Sequence, residues 1–257
     1  MRILPVLVIG FLGVLAGAAP AYAAYEREFA RFLADTVIPA ARAAGVPDSV
    51  LQRELATLAP NTALPGLGRP DKPEAPAQVD FQAEFRAPAG YFKDSQFRAL
   101  AGPGRELAQK HSDTLKAIEA RYGVPRRILL AIWARESGYG AAKIPHDGLQ
   151  TVATRAFMGE KRAFFLGETV AALKILADGH ITRPELKSSW GGAMGQPQFL
   201  PSSFLAYAVD FDGDGRRDIW RSVPDTLASI ANYLQQKGWV TGRDWGYEVI
   251  LPPALSC

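Results

Sequence analysis

The sequence predicts a mainly helical protein, with a helical N-terminal extension and one short β-hairpin or ion-binding loop towards its C-terminal end. Three observations carry that prediction. Apolar residues recur at the spacing of one helix face along most of the chain. Glycine and proline fall at the ends of these stretches, where they stop or start helices. The strict apolar–polar alternation of a half-buried strand is scarce.

The first segment is expected to leave before the protein folds. Arg2 precedes an apolar run from Leu4 to Ala18, and Ala21-Tyr22-Ala23 matches a small-x-small cleavage site. Residues 1–23 therefore read as a secretory signal peptide, with the mature periplasmic chain starting at Ala24. About 15 apolar residues fall short of the ~20 needed to span a bilayer. No cysteine follows the run to carry a lipid, so no stable membrane anchor is expected.

Residues 25–58 read as two helices. Phe29, Phe32, Leu33, Val37 and Ile38 mark the first face, Gly45 and Pro47 break it, and Val50 to Leu58 resume it. Residues 59–77 are proline-rich and are expected to lie over the surface as a loop or linker. This divides the mature chain into an N-terminal helical segment with its linker (24–77) and a main domain (78–257). In the main domain, Leu107, His111, Leu115, Ile118 and Tyr122 predict a helix over 104–122 that ends at Gly123. Pro125 opens the next, 125–137, whose run from Ile128 to Ala134 is apolar all round and predicts burial. Further helices are expected over 162–178, 202–209 and 223–237, the last with Ser222 as N-cap and Gly238 at its end.

Composition narrows the function. With 48% hydrophobic residues in 257, the chain can bury a full-sized core. A net charge of +3 leaves no nucleic-acid footprint but suits loose attraction to an acidic polymer. Cys257 is the only cysteine; no intramolecular disulfide can form, and the terminal thiol reads as incidental.

Chemistry points to Glu136. The apolar helix runs into Trp133-Ala134-Arg135-Glu136-Ser137-Gly138-Tyr139-Gly140. Apolar surroundings and the negative end of the helix dipole both disfavour a charged carboxylate and should raise its pKa. A carboxyl still protonated near neutral pH can act as a general acid. The neighbouring Arg135 would partly oppose the shift. On spacing alone the local pattern is weak, and a glutamate in an exposed last turn or one paired with an arginine is the plainer reading.

Three motifs in order then resemble one family. They are Ala120-Arg121-Tyr122-Gly123-Val124-Pro125 through Ile132 to Gly140, Gly192-Ala193-Met194-Gly195-Gln196-Pro197-Gln198-Phe199-Leu200-Pro201-Ser202-Ser203, and Tyr207-Ala208-Val209-Asp210-Phe211-Asp212-Gly213-Asp214-Gly215. Between about residues 78 and 249 the chain is similar to the lytic murein transglycosylases of the membrane-bound lytic transglycosylase B type, glycoside hydrolase family 103. The resemblance implies a lysozyme-like helical core with an added N-terminal helical part. It implies peptidoglycan glycan strands as substrate, with wall-remodelling proteins as further partners. Glu136 is then the sole acid/base for cleaving the bond between N-acetylmuramic acid and N-acetylglucosamine, and a 1,6-anhydro end forms without water. Most glycosidases use two carboxylates; here an internal hydroxyl and an internal amide take the second one's place. Asp147 and Glu160, the next acids downstream, read as capping or solvated loop residues.

The resemblance also matches Ser189 and Gln198 to polar positions that hold substrate, and Tyr233 to a groove tyrosine. Trp190 stands at an aromatic position. Without the resemblance, Trp190 and Tyr233 read as core, and Tyr233 is flanked by Ile230 and Leu234. Relatives are expected to continue past the segment like Gly238-Trp239 with a tyrosine-asparagine pair that has no counterpart here.

The stretch Asp210-Phe211-Asp212-Gly213-Asp214-Gly215-Arg216-Arg217-Asp218 follows most of a calcium loop. Asp210, Asp212 and Asp214 would supply side-chain oxygens, Arg216 a backbone carbonyl and Asp218 the ninth position. The twelfth position, normally a bidentate glutamate, is Arg221. Structural Ca²⁺ or Na⁺ is one reading, and an Asp-Gly turn in a short hairpin is the other. No cofactor is required for the chemistry. Two alternatives to the transglycosylase reading stand beside it: a hydrolytic muramidase of lysozyme type, and a non-catalytic peptidoglycan-binding protein.

Overall fold

The computed structural model describes residues 18–68 and 93–243, together with 246, 249 and 250. The expected signal segment before Ala18, the linker beyond Gly68 and Cys257 lie outside the described residues. Among the described residues no helix is long and apolar enough to cross a membrane.

The N-terminal part is a continuous helical rod and a second helix. Helix α1 (Ala18–Phe32) passes through a π-helical turn (Leu33–Val37) into α2 (Ile38–Ala43), and α3 (Asp48–Leu55) follows after Pro47. The rod starts at Ala18, ahead of the expected cleavage point at Ala23. The helix expected over 104–122 is two helices. Backbone angles at His111 (φ −106°, ψ 24°) leave the helical region, separating α4 (Asp94–Lys110) from α5 (Ser112–Tyr122). Helix α6 (Arg126–Ser137), α8 (Arg162–Ala177), α9 (Pro201–Tyr207) and α10 (Val223–Gln236) lie where the sequence places them.

Helix α7 (Gly148–Met158) was not anticipated. Its Thr and Val content weakens the local helical signal. Asp147 caps it by accepting the Gln150 N–H at 3.0 Å, and most of its residues are buried. Packing of this helix along α8 supplies what propensity lacks.

The short sheet also lies away from the expected place. Strand β1 (His146–Asp147) pairs antiparallel with β2 (Lys187–Ser188), and single bridges Ser188–Met194 and Met194–Phe199 extend it into a small meander. Residues 210–218 contain no strand; they form a loop wrapped around a buried side chain described below.

Two apolar clusters build the interior. The first joins the N-terminal helices to α7, α8 and α9 through Phe29, Leu51, Leu149, Leu173 and Phe204. The second joins α5, α6 and α10 through Leu115, Trp133, Leu227 and Ile230. Polar ties hold the N-terminal segment to the rest: Arg183 donates to the Glu54 carbonyl at 2.7 Å and to the Asp147 carboxylate at 2.8 Å. Helix α6 is not buried all round as expected. It buries Leu129, Trp133, Ala134 and Ser137, while Ile132 is half-buried at the seam between the clusters and Arg135 and Glu136 reach solvent.

Candidate active site

That seam holds the site. A pocket of about 380 Å³ takes Ile132, Ile230 and Leu234 from the second cluster's side and Phe199 and Tyr233 from the first. Glu136, Gln198 and Ser203 are its polar lining. A larger cleft of about 420 Å³ between the N-terminal helices is mostly apolar, and its Arg42 and Asp48 are paired to each other at 2.6 Å. It offers no acid poised for chemistry.

Glu136 sits one residue before the C-terminus of α6. Gly138 ends the helix in the left-handed conformation (φ 55°) that glycine adopts freely. Ser137 then locks the turn: its hydroxyl donates to the Trp133 carbonyl at 3.3 Å and accepts the Gly140 N–H at 3.0 Å. Burial among the apolar pocket walls raises the pKa of Glu136, and the adjacent Arg135 pulls it partly back. By accessible surface the residue is exposed, although its surroundings are crowded enough to desolvate the carboxyl. Both hold, because the acid lines an open groove: the walls desolvate one side and water reaches the other. Water on the open side screens the effect.

The loop facing Glu136 is clamped to α6 by Gln196, a residue that sequence reasoning did not single out. Its side-chain oxygen accepts the Trp133 Nε1–H at 2.7 Å, its amide donates to the Trp220 carbonyl at 3.0 Å, and its backbone N–H donates to Ile219 at 2.9 Å. Gln198 follows with φ 54°. A non-glycine residue in that region is strained, and such strain gathers at functional sites. Tyr139, beside the acid, is the other non-glycine residue with positive φ among the described residues. Gln198 donates its side-chain amide to the Gly195 carbonyl at 2.9 Å, which holds the tight loop in shape.

Tyr233 is braced from three sides. Tyr207 meets its ring edge-on at 5.0 Å, Phe199 lies tilted at 5.7 Å, and the Lys237 ammonium lies 5.8 Å from its centroid. Ser203, also not foreseen, reaches the pocket from the first turn of α9. The buried Glu168 fixes that turn by accepting the Ser202 N–H at 2.8 Å and its hydroxyl at 2.6 Å. Ser189 is half-buried and stands outside the pocket lining; its hydroxyl accepts the Ala193 N–H at 3.2 Å. The structure thus brings Glu136, Gln198 and Tyr233 together and leaves Ser189 on the adjoining turn. Trp190 is 55% exposed and is not a core residue. Asp147 is committed elsewhere, as cap of α7 and ion-pair partner of Arg183.

In the acidic loop, one oxygen each from Asp210, Asp212 and Asp214 lie within 4.8 Å of one another. Two oxygens that both bind Ca²⁺ at 2.3–2.6 Å can be no farther apart than about 5 Å, so these three fit one cation. Asp218 does not join them. Its oxygens accept the Trp220 and Arg221 N–H groups and the Arg221 Nε–H at 2.8 Å. Arg221, at the twelfth position, thereby neutralises the ninth, and it also pairs with Glu185 at 2.6 Å. Arg216 gives its N–H to Asp214 at 2.8 Å. The loop is shaped by Asp225, which is fully buried and accepts N–H groups from Phe211, Asp212 and Asp218. Burial raises the pKa of Asp225, and these bonds oppose the rise.

Residues 28–257 match the family described as Transglycosylase SLT domain. The chain is 39% identical over 134 residues to membrane-bound lytic murein transglycosylase B of Escherichia coli K12, an overlap covering 52% of this chain and 37% of that protein. Its fold is similar to SltB3 of Pseudomonas aeruginosa in complex with NAG-NAM-pentapeptide, with TM-score 0.73 and 35% identity, covering 88% of this chain and 58% of SltB3. It is also similar to the Escherichia coli lytic transglycosylase Slt35 in complex with calcium, with TM-score 0.62 and 25% identity over 86% of this chain and 65% of Slt35. The chain therefore spans between about a third and two thirds of the length of these relatives. Its helical core is the lysozyme-like core of the lytic transglycosylases.

Proposed function

The chain belongs to the Transglycosylase SLT domain family, and from that premise we propose that it is a lytic murein transglycosylase acting on peptidoglycan glycan strands in the periplasm. The observation that carries the reading is the isolation of Glu136. Among the described residues it is the one carboxyl lining the pocket. Two-carboxylate glycosidases need a second acid at ~5 Å or ~6.5–9.5 Å, and Asp147 is already tied to Arg183. One acid suffices when the substrate supplies its own nucleophile.

In the first half-reaction, protonated Glu136 gives its proton to the bridging oxygen as the bond from that oxygen to the muramic anomeric carbon breaks. The muramic 2-acetamido oxygen attacks that carbon from the opposite face. In the second, the Glu136 carboxylate takes the C6 hydroxyl proton while O6 bonds to the anomeric carbon and displaces the amide oxygen. Glu136 ends protonated, ready for another cycle, and no water is consumed. Gln198 and Tyr233 would hold the sugars against the acid, with Ser189 contacting the strand from the adjoining turn. Digestion of purified peptidoglycan tests the reading by mass spectrometry. Anhydro ends, lighter than reducing ends by one water, are expected; reducing ends would establish a hydrolytic muramidase, and no release at all a binding protein.

Asp210, Asp212 and Asp214 would hold Ca²⁺ or Na⁺ as a structural ion that orders the loop beside Asp225, on residues outside the Glu136 pocket. Without the ninth and twelfth ligands, affinity belongs with the weak extracellular sites, on the order of 10⁻³ M. At ten times that concentration, calcium should stabilise the fold by about 1.4 kcal/mol through mass action, or roughly 3–5 °C in Tm. Asp212→Ala should remove the gain in a thermal melt. A wild-type Tm indifferent to calcium would show that the loop is a plain turn.

A further inference from the structure

Arg155 is buried, 8% exposed, and no carboxylate among the described residues pairs with it. Burying a guanidinium costs stability, and here desolvation pulls its pKa down. Its hydrogen bonds show what the burial accomplishes. Nε donates to the Trp190 carbonyl at 2.9 Å, and Nη2 donates to the Pro65 carbonyl at 3.1 Å in the strap leading from the N-terminal helices. Its Cζ lies 5.1 Å from the Trp190 ring centroid and 5.4 Å from that of Phe165. Arg155 thus holds both the backbone and one face of Trp190, while 55% of that residue remains open to solvent.

A large aromatic ring backed by a fixed cation and bare on its outer side is a preorganised stacking surface. Its side-chain entropy is already lost before anything binds. Trp190 follows Ser189 directly, at the tip of the turn that joins β2 to Met194, and the same meander continues to Gln198 in the Glu136 pocket. Trp190 therefore stands on the turn that the Met194–Phe199 bridge ties to the pocket lining. Sugar rings present flat C–H faces that pack on indole, and the chain bound in that pocket is a polymer of such rings.

We propose that Trp190, seated on Arg155, is a stacking platform for a sugar ring of the glycan strand beyond the cleavage pocket. The proposal rests on the glycan-cleaving reading for its ligand. It predicts that Trp190 governs how tightly a strand is held and leaves the chemical step alone.

The probe is a soluble, peptide-free strand of alternating N-acetylglucosamine and N-acetylmuramic acid, titrated calorimetrically into Glu136→Gln protein so that it stays intact. Adding Trp190→Ala should weaken binding roughly tenfold, as loss of a buried aromatic anchor does. Trp190→Phe, which keeps a flat ring, should stay within about threefold of the parent. Trp190→Leu keeps apolar cover over Arg155 without a flat ring; it should behave like the alanine variant and replaces it if that variant does not fold. With Glu136 intact, Trp190→Ala should raise KM and leave kcat unchanged. Unchanged binding in the alanine and leucine variants overturns the platform, as does an equal loss in Trp190→Phe. If wild-type protein releases no anhydro ends while Trp190→Ala still weakens strand binding, the catalytic reading fails and the platform stands.

Discussion

Glu136→Gln is expected to lower the release of anhydromuropeptides by about 10⁴-fold or more, the upper end of what a general acid/base contributes. The proposed mechanism asks one group to give a proton in the first half-reaction and take one in the second, so losing it stops both. Glutamine keeps the shape and cannot transfer the proton. The clamp through Gln196 and the brace around Tyr233 involve neither carboxyl oxygen, so sacculi should still be pulled down. Asp147→Asn should cost stability through α7 and Arg183, with less than about a tenfold change in rate. Retention of more than about a tenth of wild-type activity in Glu136→Gln, far outside that range, would show that the acid has been misassigned.

The same variant carries a pH signature. The folded protein holds the Glu136 proton more tightly than the unfolded chain does, because its pKa is raised. Stability therefore falls as pH rises from the ordinary glutamate range through the raised value. Glutamine does not titrate. Glu136→Gln should melt above wild type at neutral pH, and the two should converge in acid below the ordinary glutamate range. The difference should be small, since water screens the open side of the carboxyl. In wild type, activity should fall on the alkaline side as the acid form is lost. A variant that melts below wild type at neutral pH would mean that Glu136 makes a stabilising contact as the charged form.

Gly195→Ala is expected to be the most damaging single methyl in the loop facing Glu136. Gly195 has φ +64°, and an added Cβ would come within 2.8 Å of the Ile219 carbonyl oxygen and 2.7 Å of its side chain. The carbonyl cannot retreat, because it accepts the Gln196 N–H at 2.9 Å. Left-handed strain of about 1–2 kcal/mol adds to about 1–3 kcal/mol for overpacking. The sum, about 2–5 kcal/mol, corresponds to a Tm lower by roughly 5–15 °C. The clamp on Trp133 moves with this loop, so kcat should drop together with stability. A Tm within a degree or two of wild type would show that the loop has room to shift, and that Gln196 does not fix Glu136 in place.

The helix that ends at Glu136 was legible in the sequence because its signals are local. An apolar helical run that stops at a carboxyl and a glycine marks the helix end but fits an exposed or paired glutamate as well; the three family motifs, which lie in contiguous stretches, single out Glu136. The positions of α6, α8, α9 and α10 followed from periodicity and caps for the same reason. The acidic loop was also visible, since its carboxylates alternate over a few residues. Its missing ninth ligand was not, because Asp218 had to be seen folded onto Arg221.

Contacts between distant segments were decided by tertiary structure alone. Helix α7 has a poor local signal and forms because α8 and the N-terminal helices bury it. Gln196 became a clamp only when the fold brought Trp133, Ile219 and Trp220 around it. Asp225 gathers backbone N–H groups from three residues of a loop that precedes it in the chain. Trp190 read as core without the family resemblance and lies 55% exposed in a turn, on a cation supplied by helix α7. Local spacing determines which face of a helix is apolar and where the helix ends. It carries no term for the solvent exposure or the partners of a side chain, which depend on segments brought together only by folding.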